Sequence, residues 1–146
     1  MLEIKQSILM FCALGGLGCA ATTPLDDPEM EDPFAAQVSE GSVLYADHCA
    51  SCHGDDGSGT SQAPALVGLT EGALPLDPAP GAVRDTQFET VADVGAFAVA
   101  NMPPADPGSL MADEYYAILA FALFANGIEL EEELSGSLAA EIVIPR

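Results

Sequence analysis

Cys49-Ala50-Ser51-Cys52-His53 constrains this chain more than any other stretch of its 146 residues. On a helical turn, positions i, i+3 and i+4 share one face, so Cys49, Cys52 and His53 point the same way. C-x-x-C-H is a haem attachment signature. Two thiols on one face can form thioethers to the two vinyl groups along one edge of the macrocycle, and the adjacent imidazole then reaches the iron from below. Two other chemistries use similar residues. A thiol-disulfide C-x-x-C is expected near a βαβ pattern, which this chain lacks. A zinc site needs four ligands. Here His48-Cys49 and Cys52-His53 are sequence-adjacent pairs that cannot easily surround one ion. His48, beside a cysteine committed to the macrocycle edge, reads as a surface residue.

The length suits one domain with extensions. Three Lys+Arg against 23 Asp+Glu give a formal net charge of −20 at pH 7. That balance argues against nucleic acid as a partner, because polyanion binding rests on neutralising phosphates with Lys and Arg. It also disfavours adsorption to anionic lipid by charge alone. With 49% hydrophobic and 18% charged residues, the chain is not wholly disordered.

Residues 1–18 read as a signal peptide. Lys5 precedes an apolar run from Ile8 that closes on small residues and is too short to span a bilayer. Gly16-Leu17-Gly18-Cys19 is similar to a bacterial lipobox, in which cleavage precedes a cysteine that then receives lipid. Gly16 stands where that motif usually has Leu, Val or Ile. An ordinary signal peptide cut after Ala21 and an uncleaved short anchor are the alternatives. Each places the domain outside the cytoplasm, in the periplasm or another extracytoplasmic space. Residues 19–37 carry Pro24, Pro28 and Pro33 among acids and read as a tether. Cleavage before Cys19 leaves Arg84 and Arg146 against 22 acids, still −20. Lipid on Cys19 is then the expected hold on a membrane, although one acyl chain binds only marginally.

Several spaced features surround the motif. Residues 39–45 lead into it as a helix that continues through the motif to about residue 53, with Ser39 as its N-cap. A loop from Gly54 to Gly59 and the segment Gln62-Ala63-Pro64-Ala65-Leu66 follow it. A helix over about 89–99 precedes Asn101-Met102-Pro103-Pro104. A last helix over about 112–125 has Asp113 and Glu114 in its first turn and Asn126-Gly127 as its stop. Taken together, these features resemble a class I bacterial cytochrome c over about residues 38–128. The resemblance implies an all-α fold of three to five helices wrapped around one haem c, attached through Cys49 and Cys52. It implies His53 and Met102 as the iron ligands, with the Pro64 carbonyl accepting a hydrogen bond from His53. It also implies that Gly41 and Tyr45 pack on Ile118 and Phe121. Pro103 pushes Met102 out of the α region, which suits a thioether turned toward the iron. Met30 lies in the tether, and Met111 reads as a packing residue and as the candidate after Met102.

An iron with both axial positions filled leaves no site for substrate. The chain therefore reads as an electron-transfer protein rather than an enzyme: a membrane-tethered one-electron carrier in an extracytoplasmic chain. A soft sulfur ligand favours ferrous iron and raises the potential. Its partners are expected to be redox proteins with a basic docking face, held by an association that salt weakens. Simple solubility or a salty habitat would also account for the acidity. A redox or gas sensor with a labile Met102 bond stays open, as does a cytochrome subunit of a dehydrogenase or reductase complex. A haem peroxidase usually carries two such motifs. Arg84 is expected at the surface, with neutralisation of a haem propionate as the other role open to it. Tyr115 to Ala125 carries no charge, and a helix apolar all round is normally buried all round. The tail, 129–146, holds Leu130, Leu134, Leu138 and Ile142-Val143-Ile144, and is expected to fold back over it unless a partner does so.

Overall fold

Asp32 starts the first helix. Its carboxylate Oδ1 accepts from the amides of Phe34 at 3.0 Å and Ala35 at 3.4 Å, and Pro33 at the first helical position has no N–H to leave unpaired. A computed structural model describes residues 32–67, 77–78, 84 and 87–144. Among them lie α1 (Pro33–His48), α2 (Ala50–His53), α3 (Val91–Asn101), α4 (Ala112–Ala125) and α5 (Gly136–Glu141), with no strand beyond a single antiparallel bridge, Thr90 to Val143. The fold is all-α, as the resemblance implied. The reading of residues 1–18, of lipid on Cys19 and of most of the tether lies outside the described residues.

The start of α1 corrects one expectation. Ser39 is not an N-cap but sits inside the helix, where its carbonyl accepts from the Ser42 hydroxyl. The helix begins within the segment read as tether because Asp32-Pro33 is a strong start signal and Phe34, only 2% exposed, anchors the first turn in the core. The helix expected through residue 53 is also divided. At Cys49 the backbone leaves helical geometry, which separates α1 from α2.

Helices α1 and α4 cross with their backbones in contact. A Cβ built on Gly41 would collide with the carbonyl of Ala117, so only glycine admits this approach. Beyond that point the Tyr45 and Phe121 rings lie 5.1 Å apart, as expected. At Gly41 itself the atoms nearest a built Cβ are the Ala117 carbonyl and the Ile118 amide nitrogen.

A capping box sets the start of α3 at Val91 rather than Glu89. Thr90 Oγ1 accepts from the Asp93 amide, and Asp93 Oδ2 accepts from the amides of Thr90 at 2.8 Å and Glu89 at 2.9 Å. Helix α4 occupies the expected span. It ends in a Schellman motif: Ile128 donates to the Leu123 carbonyl at 3.0 Å and Gly127 to that of Phe124 at 2.9 Å.

The tail does fold back. Leu134, Ala139 and Ile144 join Phe34, Val91, Val94, Leu119 and Leu123 in one core. The Gln37 side-chain amide pairs both ways with the Leu134 backbone, at 3.0 and 2.7 Å. Val91 donates to the Ile142 carbonyl, and Ile144 to that of Glu89. The tail thus lands on the starts of α1 and α3 as well as on α4, and Phe124 on α4 stays 47% exposed. No helix among the described residues is long and apolar enough to cross a membrane.

Candidate haem site

His53 closes α2 and is 7% exposed. Its Nδ1 lies 2.8 Å from the Pro64 carbonyl oxygen. A carbonyl can only accept, so Nδ1 carries the proton and Nε2 is the nitrogen presented for ligation. The loop that delivers Pro64 is fastened on both sides. The Tyr45 hydroxyl donates to the Gly54 carbonyl at 2.7 Å, and the Gly59 amide to that of His53 at 2.8 Å. Leu66 and Val67 both donate to Gly57, and Asn126 at the end of α4 donates to the Leu66 carbonyl at 2.8 Å. Gly59 has φ +84, and a Cβ there would press on the backbone of Pro64 and Ala65. Burial pushes the Tyr45 phenol up to about 12, helped by the nearby carboxylates of Asp56 and Asp55.

Cys49 and Cys52 flank one tight turn, with Cys52 and His53 both donating to the Cys49 carbonyl. Both are half-buried, and neither is in a disulfide. Burial raises the Cys49 thiol to about 11, and its neighbour Cys52 adds to that rise. A disulfide-exchange pair needs the opposite, a thiol held low enough to ionise. Among the described residues, no three or more His, Cys, Asp and Glu side chains gather as ligands for a metal ion, which leaves the zinc reading without a site. The residues do fit a haem: two adjacent thiols and an imidazole whose outer nitrogen is already engaged.

Met102 caps the end of α3 in extended geometry, φ −123 and ψ 146, as expected of a residue before proline. It is half-buried. Its amide donates to the Ala98 carbonyl at 2.7 Å, and its own carbonyl accepts from the Tyr115 hydroxyl at 2.6 Å. Met111 corrects another expectation. It is 64% exposed at the N-cap of α4, where its amide donates to Glu114 Oε2, so its side chain packs no core. His48 is exposed, and the Arg84 guanidinium lies 3.7 Å from the centre of the Phe88 ring. Sequence reasoning missed Tyr115, Asn126 and Gln37. Asn126 had been read only as a helix stop, and neither tyrosine nor glutamine announces a backbone partner in sequence.

An all-helical domain with this turn, this histidine and this loop is a class I c-type cytochrome, and it carries a covalently bound haem c. Residues 36–121 match the family model described as cytochrome c oxidase, cbb3-type, subunit III, and the chain belongs to that family. Its function at this level is electron transfer. The chain is also similar to a chain in the crystal structure of the sulfane dehydrogenase SoxCD from Paracoccus pantotrophus. The identity is 31% and the TM-score 0.55, covering 74% of this chain and 53% of that one. The chain therefore spans about half the length of the chain it matches there. No curated protein matches it.

Proposed function

We propose that this protein is a mono-haem one-electron carrier in which His53 and Met102 are the two axial ligands, tethered at an extracytoplasmic membrane face. The observation that supports the reading is a buried His53 whose tautomer is fixed by the Pro64 carbonyl; a Met102 held extended by bonds to both of its peptide groups is consistent with it. The haem supplies, when bound, a single iron that takes up and returns one electron. The protein's residues do the rest. Cys49 and Cys52 would hold the macrocycle edge, Pro64 orients the imidazole, and the packed Tyr45 and Phe121 rings brace the α1–α4 crossing. A thioether at Met102 favours the reduced state.

The apolar segment ending at Cys19 and the acidic chain after it support a tether. Asp47, Asp55 and Asp56 are exposed on either side of the motif, which supports docking to a partner with Lys or Arg around its own redox centre. The similarity to a sulfane dehydrogenase chain favours a second reading, in which the domain serves as the cytochrome part of a dehydrogenase complex. Carbon monoxide tests the axial pair. The ferrous protein at neutral pH is expected to leave it unbound, while Met102→Ala binds it. Binding by the wild type as readily as by the variant would favour a gas sensor and overturn the carrier.

A further inference from the structure

The segment after Met102 is closed by a side chain to which electron transfer assigns no role. Tyr115, in the first turn of α4, is 4% exposed. Its hydroxyl donates to the Met102 carbonyl at 2.6 Å and accepts from the Gly108 amide at 3.1 Å. One oxygen therefore joins the two ends of the loop 102–108. Within the loop, Asp106 donates to Pro103 at 3.0 Å and Ser109 to Asp106 at 3.3 Å, so the chain between those ends is a compact turn. The plane of the peptide after Met102 is set by where its carbonyl points. Fixing that carbonyl fixes the backbone from which the thioether side chain leaves.

A phenylalanine would fill the same space in the core. The hydroxyl adds two hydrogen bonds, and a buried hydroxyl without them would be a net cost. Tyr116, the next residue, offers a contrast. It lies against Gly136 at the start of α5, away from the Met102 carbonyl that Tyr115 holds.

We propose that Tyr115 is a positioning residue for the sixth iron ligand, clamping the Met102–Gly108 loop so that the thioether is held in one place. The inference rests on Met102 being that ligand, and the experiment separates the two. Ferric holoprotein is prepared as wild type, Tyr115→Phe, Tyr116→Phe and Met102→Ala. Three quantities are read: the near-red charge-transfer absorption of a thioether–ferric bond, the affinity for added imidazole, and the thermal midpoint. Tyr115→Phe is expected to keep the absorption while binding imidazole about tenfold more tightly, the scale of one to two lost hydrogen bonds. Tyr116→Phe is expected to match the wild type in imidazole affinity. If Tyr115→Phe also matches it and only the thermal midpoint falls, the hydroxyl is merely structural and the clamp is overturned while the ligand survives. If Met102→Ala retains the near-red absorption, the ligand assignment itself falls, and the clamp with it.

Discussion

At Gly41 a single methyl group decides whether α1 and α4 can cross, because the Ala117 carbonyl occupies the space a Cβ would need. The obstacle is backbone and cannot rotate away. Gly41→Ala should therefore cost about 3 kcal/mol, at the upper end for overpacked cores, as a lower urea midpoint of the holoprotein. Asp93 gives a test that depends on pH. The amides of Thr90 and Glu89 hold its carboxyl below the usual carboxylate range. A depressed folded value means that the stabilisation is present above the unfolded value, about 4, and is lost as pH falls through the folded one. Asp93→Ala should thus destabilise by about 1 kcal/mol at neutral pH, and its stability should converge on that of the wild type in strong acid. A gap that persists unchanged at low pH would contradict the assignment. At this scale the site was half legible. Cys49, Cys52 and His53 announce themselves by spacing, and Pro64 by resemblance. Tyr115 and Asn126 do not, because each acts on a backbone group far off in sequence, and only the packed chain brings the two together.

Among the elements, α4 was read to the residue, since carboxylates at its start and Asn126-Gly127 at its end both mark boundaries physically. The beginning of α1 was misread because proline and acid, which signal a tether by composition, also form a helix start when an aspartate directly precedes the proline and a buried phenylalanine follows it. The tail was foreseen as apolar mass that must dock, but its landing place depends on Gln37 pairing with Leu134, which no local pattern reveals. Leu134 and Ile144 are 2% and 7% exposed, and burying such side chains stabilises by about 1.5–3 kcal/mol each. Removing residues 129–146 should lower the thermal midpoint of the holoprotein by ten degrees or more, roughly the shift for a loss of about 3 kcal/mol. A midpoint within a degree or two of the full chain would mean that the tail contributes nothing to the core.

For the molecule as a whole, a charge of −20 dominates encounters with other proteins. Salt shortens the range of that field to about 10 Å at 0.1 M. Electron transfer to a partner with a basic face should slow steadily as ionic strength rises. A rate that is flat or rising would remove the acidic surface from docking and leave solubility as its role. Everything above the fold, however, depends on one macrocycle joined to Cys49 and Cys52. Intact-mass spectrometry of protein matured in a host that attaches haem c tests this directly, with Cys49→Ala/Cys52→Ala alongside. The wild type should show the mature polypeptide plus one haem that survives acid extraction, and the double variant the polypeptide alone. A wild-type mass equal to the bare chain would contradict the account.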